Sequence, residues 1–483
     1  MPASFLFYDL ETYGADPRRT RIAQFAAMRT DTDLNEIEAP ISVFVKPADD
    51  LLPSPQATLI TGIAPQDALR DGVNEAAIFA LIFDEMARPE TCSAGYNSLR
   101  FDDEFVRYGL FRNFYDAYER EWRNGNSRWD LLDVLRLAHA LRPDGVIWPK
   151  REDGMTSFKL EHLATANEVR VGDAHEALSD VRALIGIARK FKQSQPKLWE
   201  YALRLRDKRF AGSLLDTIAM TPALHVSQRY PASRLCAAPV IPLARHPRID
   251  NRVLVFDLAQ DPQALLTLAP DEIADRLYTP TADLPEGEER VALKEVHLNR
   301  CPALIAWNHL RPADFERLQI DPAQVDYRAA QIREAGPELV EKVRRVYAGD
   351  RAHAPSDPDA SLYDAFVGDG DKRLFRNVRS TAPEALGTAA FDFRDARLPE
   401  LLFRYRARNW PQTLSAEERG RWDDYRRHRL YTESGLSEYS FDRFRAEMQL
   451  CRAAAGEDGA KQALLDRLEH WAGEIDRDLN TSV

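Results

Sequence analysis

An apolar, strand-forming run near the start of the chain, Phe5-Leu6-Phe7-Tyr8-Asp9-Leu10-Glu11-Thr12, carries two carboxylates in alternate positions at its end. Residues two apart on an extended strand project from the same face, so Asp9 and Glu11 point one way. A strand this apolar belongs inside a fold, where two adjacent carboxylates cost free energy unless a cation lies between them. Such oxygen ligands suit hard ions such as Mg²⁺ or Mn²⁺. A polar strand end with no further role fits the run equally well. The choice depends on further carboxylates and a base elsewhere in the chain.

A chain of 483 residues is too long for one core and predicts roughly two to four domains. Its four cysteines, Cys92, Cys236, Cys301 and Cys451, are far apart and form no C-x-x-C pair. That spacing excludes a cysteine-rich zinc module and argues against a disulfide framework, as expected in a reducing compartment. The first residues carry no basic leader, and no apolar run approaches the ~18 residues that span a bilayer. A cytoplasmic protein with no membrane association is expected. The net charge of −12 disfavours nucleic acid as a partner without excluding it, because phosphates respond to the local field.

Residues 1–195 read as an α/β domain with a mixed sheet. Strands are expected at 5–12, 22–30, 41–46 and 92–96, and a loop at 61–65. Helical patterns cover 75–86, most of 98–141, 159–166 and 174–193. Residues 196–350 change to prolines and short β-rich runs, the texture of a smaller α+β domain. Residues 354–359, APSDPD, read as a linker, and 352–483 as an all-α domain rich in Arg and Glu.

A third acidic cluster, Phe101-Asp102-Asp103-Glu104-Phe105, follows the strand near residue 96. On a helix starting at Ser98, Phe101 and Phe105 share the buried face. Asp102 then lies at the edge of that face, while Asp103 and Glu104 turn toward solvent. Asp102 is the candidate, with Asp103 the alternative; an ordinary acidic first turn also fits. A fourth element is Asp173-Ala174-His175-Glu176-Ala177-Leu178-Ser179-Asp180. Capping-box spacing of Asp173 and Glu176 predicts a helix from Ala174. His175 and Asp180 would then lie about 140° apart, so His175 has to swing from a loosened first turn to act with Asp180. Together Asp9, Glu11, Asp102, Asp180 and His175 describe a metal-assisted hydrolase, with His175 the candidate base.

These motifs, with 96–104 (YNSLRFDDE) and His175-x4-Asp180, resemble the DEDD-type 3′→5′ exonucleases of the ribonuclease-H-like superfamily. Residues 46–50 (KPADD), 59–63 (LITGI), 126–133 (NSRWDLLD) and 402–409 (LFRYRARN) are similar to the bacterial exodeoxyribonuclease I branch over nearly the whole length. The resemblance implies an exonuclease domain, then an SH3-like domain, then a helical domain. It implies a monomer that releases nucleoside 5′-monophosphates from single-stranded DNA with two Mg²⁺ ions (or Mn²⁺), in DNA repair and recombination. Asp9, Glu11 and Asp180 would hold metal. An RNA-directed or proofreading relative, or a noncatalytic strand-binding scaffold, are the competing readings.

Residues 107–142 hold seven arginines, no lysine and seven aromatics. That mixture supplies both phosphate forks and base-stacking platforms. Helical spacing to apolar neighbours assigns Phe111, Phe114 and Trp129 to the core. By resemblance, Glu11, Arg107, Tyr118, Trp122 and Arg136 match strand-contacting positions, as does Lys159, where an arginine is expected. Arg404, Arg406 and Arg408, and 419–429 with Trp422 and Tyr425, read either as one wall of a groove or as solvated helix faces. The resemblance also implies docking of the acidic C-terminal tail of single-stranded-DNA-binding protein, at Arg142, Tyr201 and Arg311.

Overall fold

In the computed structural model, which describes residues 2–170, 172, 176–349 and 356–481, the opening run forms β1 (Ser4–Thr12), buried along nearly its whole length. It pairs antiparallel with β2 (Ile22–Thr30), which pairs antiparallel with β3 (Ile41–Phe44). On its other edge β1 runs parallel to β4 (Thr91–Gly95), so the sheet is mixed. Leu6, Tyr8 and Leu10 pack into a core with Phe25, Phe79, Ile82 and Phe105. The alternation of a strand sends Asp9 and Glu11 to the opposite face.

These strands belong to a first compact unit made of Met1–Ser127, Arg170–Ile185 and His353–Val483. Two short helices, α1 (Pro55–Thr61) and α2 (Pro65–Asp71), occupy the stretch around the expected loop. Each begins with a proline, which suits a first helical turn. The Ser54 hydroxyl accepts from the Ala57 amide, and Gly62 closes α1 at φ 69°. Then come α3 (Glu75–Met86) and α4 (Asp102–Arg112), pressed so closely that a Cβ on Gly109 would lie 1.8 Å from the Phe79 ring. Helix α4 starts at Asp102 rather than Ser98, yet the Phe101 and Phe105 rings still meet, tilted, with centroids 5.0 Å apart.

The C-terminal part of this unit is helical throughout its described residues, with long helices at Leu398–Asn409, Ala416–Tyr431, Phe441–Ala455 and Gly459–Thr481. Of the arginines in 419–429, Arg419 and Arg421 lie exposed on a helix face. Arg404, Arg406, Arg408, Arg426 and Arg429 are buried, each against carboxylates. Arg408 bridges Asp50 (2.9 Å) and Asp359 (2.6 Å), and Arg404 joins Asp359 and Asp357. Asp359, expected in a linker, is 1% exposed. Burying an unpaired arginine is costly, and these helices turn basic side chains inward where acids meet them, from residues 49–50 and 357–359 and from Glu418, Asp423 and Asp478.

The second unit comprises Arg128–Val169 and Gly186–Ala352. Strand β5 (Ser127–Asp130) carries the chain into it. Five more strands, β6 (Ala223–Val226), β7 (Ala237–Arg245), β8 (Arg252–Asp257), β9 (Leu293–His297) and β10 (Ala303–Ala306), form an antiparallel sheet in the order β10-β6-β7-β8-β9. Ile241, Leu254 and Phe256 of this sheet pack against Ile332 and Val343 from two following helices. No helix among the described residues is long and apolar enough to cross a membrane.

Candidate metal and active site

The site grows out of an unfinished edge of β1. Strand β4 pairs with β1 only as far as Phe7 and Ala94, leaving later β1 amides on that edge without a strand partner. The carboxylate of Asp102, at the first turn of α4, accepts from the Leu10 amide (3.2 Å) between Asp9 and Glu11. Asp180 arrives from the helix Ala177–Ser194. Carboxylate oxygens of Asp9, Glu11 and Asp180 lie within 4.8 Å of one another.

Asp103 is not a solvent-facing alternative to Asp102. It is 1% exposed, accepts from Tyr8 Oη (2.8 Å), and is ion-paired to the fully buried Arg120. The two neighbours diverge because α4 starts at Asp102, sending one carboxylate toward β1's edge and the next into the core. The helix that carries Asp180 also starts later than its spacing predicts, at Ala177 instead of Ala174. Glu176 caps it, accepting from the amides of Leu178 (3.3 Å) and Ser179 (2.7 Å). His175 and Asp173 lie outside the described residues.

Electrostatics single out this cluster. Burial pushes the Glu11 carboxyl up to about 9, and the charges of Asp9, Asp180 and Glu176 add to the shift. Asp9 is raised well above the ordinary carboxylate range by burial, then by Asp102, Asp180 and Glu176. Both shifts mark negative charge gathered without sufficient compensation. A cluster made only of carboxylate oxygens, held on a strand and a helix, has the donor chemistry of a hard divalent ion and offers no soft ligand. Arg170 is ion-paired to Asp180 (2.5 Å).

The expected strand-contacting residues fall into two groups. In the first unit Trp122 is 66% exposed, and Tyr118 is half-buried with its ring against Phe366, which is 83% exposed. Arg107 is buried and largely committed: it donates to both Glu121 oxygens, to Glu104 and to the Tyr363 hydroxyl. It also lies 5.4 Å from the Tyr118 ring centroid, a cation–π contact that orients that ring. Phe366 and Tyr363 were not singled out in the sequence. Their only local signal is two aromatics in the Gly- and Asp-rich stretch 363–370.

In the second unit Arg136 pairs with Asp133 (2.7 Å) and covers the Phe158 ring. Lys159 is exposed immediately before the helix Leu160–Ala166. Arg142 and Arg311 converge on the same carboxylate, Asp314, at 2.7 and 3.0 Å. Tyr201 packs edge-on to Phe210 and His309.

Comparisons with known proteins cover 98% of the chain. Residues 6–188 match a family model described as Exonuclease, 206–349 one for the Exonuclease I SH3-like domain, and 356–475 one for the Exonuclease I C-terminal domain. The chain is 44% identical to exodeoxyribonuclease I of Escherichia coli over 98% of both chains. It is 40% identical to that of Haemophilus influenzae over 97% of this chain and 98% of the relative. Among solved structures, Exonuclease I from the moderate thermophile Methylocaldum szegediense aligns with a TM-score of 0.94 at 46% identity, over 98% of this chain and 99% of that one. The E. coli enzyme in complex with a dA16 oligonucleotide aligns with a TM-score of 0.94 at 43% identity, over 98% and 100%. A zinc-bound form of the E. coli enzyme with single-stranded DNA aligns at 0.92, 43% identical, over 98% and 100%.

Proposed function

The chain belongs to the exodeoxyribonuclease I family, and from that premise we propose that it degrades single-stranded DNA from the 3′ end, using divalent ions held by Asp9, Glu11 and Asp180. It is an exodeoxyribonuclease specific for single strands. The observation that carries the site assignment is the convergence of those three carboxylates within 4.8 Å beside Asp102. Two bound Mg²⁺ or Mn²⁺ ions would supply charge stabilisation at the phosphodiester and its leaving oxygen. The chain's own part is positional. Asp9 and Glu11 are fixed by a strand paired along its β2 edge, Asp180 by a capped helix, and Asp102 by the Leu10 amide. His175 takes the proton from the attacking water as general base.

Trp122, Tyr118 and Phe366 offer a sequence-tolerant stacking surface, oriented by Arg107, while Arg136 and Lys159 contribute cationic contacts. The paired Arg142 and Arg311, with Tyr201, form the docking point for the acidic tail of single-stranded-DNA-binding protein. The working form is a cytoplasmic monomer in DNA repair and recombination. Its domains divide at 1–195, 196–350 and 352–483.

The test supplies purified protein with single-stranded DNA, duplex DNA and RNA, each labelled at either end, with Mg²⁺ or EDTA. Mononucleotide release from the 3′ end of single-stranded DNA, abolished by EDTA, is expected. Equal or faster loss of RNA, release from the 5′ end, or cleavage in EDTA overturns the reading.

A further inference from the structure

Arg170 stands just before the His175-x4-Asp180 motif, yet it makes the closest charge contact of the site. Its Nη1 lies 2.5 Å from Asp180 Oδ1, and both side chains are largely buried, at 13% and 15% exposure. Its other terminal nitrogen, Nη2, is buried with no hydrogen-bond partner among the described residues. Among the described residues, that ion pair is what holds the guanidinium against Asp180.

A guanidinium is an unusual choice for merely orienting a metal ligand. Neutral N–H donors or carboxylates commonly steady such ligands. Arginine instead adds a permanent positive charge, because it does not deprotonate in proteins. Five carboxylates gather here: Asp9, Glu11 and Asp180 bring oxygens within 4.8 Å of one another, Asp102 sits on the Leu10 amide between the first two, and Glu176 caps the helix that carries Asp180. Two divalent ions would neutralise four of those charges, and Arg170 matches the fifth.

We propose that Arg170 is a built-in counter-ion of the metal site, competing with a divalent ion for the Asp180 carboxylate and thereby setting the site's affinity for metal. The inference rests on the metal reading of Asp9, Glu11 and Asp180 given above. A positive charge this close repels an incoming cation, so its removal tightens metal binding. Without the metal, the same removal leaves the acids facing one another.

The test is a calorimetric titration of Mn²⁺ into the full-length protein without DNA, with thermal melts in EDTA and in saturating Mn²⁺. Arg170→Ala is expected to bind Mn²⁺ at least about tenfold more tightly than wild type. Arg170→Lys, which keeps the charge, is expected within about threefold of wild type by the same electrostatic argument. In EDTA Arg170→Ala melts below wild type, and in saturating Mn²⁺ the difference closes. Arg170→Gln gives the same comparison if the alanine variant does not fold. Unchanged or weaker Mn²⁺ binding by a folded Ala or Gln variant overturns the proposal and makes Arg170 a simple positioning residue. No Mn²⁺ binding by the wild-type protein overturns the metal reading itself.

Discussion

Asp102 and Asp103 are adjacent in the chain and chemically identical, but their surroundings give them opposite duties. Asp102 faces Asp9 across the end of β1, whereas Asp103 neutralises a wholly buried arginine. Asp102→Asn keeps an oxygen for the Leu10 amide and removes one repelling charge. Its melting temperature is expected to match or exceed wild type while cleavage falls at least about a hundredfold. Asp103→Asn strands Arg120, at an expected cost of about 3–5 kcal/mol in unfolding free energy. Paired melts and rate measurements on the two variants check the division; a large stability loss in Asp102→Asn would reverse it. The pairing of Asp9 with Glu11 was legible because strand periodicity is local. Asp103 was not, since its partners stand 17 and 95 residues away and helical spacing alone pointed it outward. Arg170 was equally hidden: nothing in its local sequence shows that it folds back onto Asp180.

Among the elements, the loop that follows β1 is held from outside. The Glu438 carboxylate accepts from the amides of Ala15 (2.9 Å) and Asp16 (3.3 Å), and Arg429 donates to the Arg19 carbonyl (2.6 Å). A Cβ on Gly14 would sit 2.3 Å from Glu438 Oε2, so this glycine makes room for the clamp. Gly14→Ala and Glu438→Ala are each expected to slow cleavage severalfold while costing about 1 kcal/mol of stability, the scale of a lost hydrogen bond. Because both break one contact, the double variant should be no slower than either single one. Additive losses in a double-mutant cycle would separate the two. Element types were broadly legible, and the differences concentrate at starts. Gly62 and Pro65 suggested a loop, and 62–64 is one, but the short helices that the glycine ends and the proline opens were not read on either side of it.

Across the whole molecule, the arginines of the C-terminal helices could not be assigned from the sequence because their partners are distant in the chain, 45 residues for Arg404 and Asp359 and 358 for Arg408 and Asp50. Asp50 is joined to Arg408 and Arg429, and Asp359 to Arg404 and Arg408. Burial alone would raise both acids. Arg408 instead holds both well below the ordinary carboxylate range, with Arg429 and Arg21 at Asp50 and Arg404 and Arg21 at Asp359. Carboxyls depressed by folding stabilise the native state fully above their unfolded value of about 4 and lose that contribution as pH falls through the folded value. Melting temperature is therefore expected to fall steadily below about pH 4. Asp359→Asn should melt lower at pH 7 and show a shallower acid decline. A variant whose acid decline matches wild type would exclude this network as the cause.

The same network orders events during synthesis. Asp50 and Arg21 leave the ribosome early, while Arg404, Arg408 and Arg429 emerge only in the last fifth of the chain. Until then the catalytic strand stands in a unit whose buried charges lack their partners. A nascent chain is thus expected to stay inert toward DNA, and the nuclease to switch on only once translation is nearly finished.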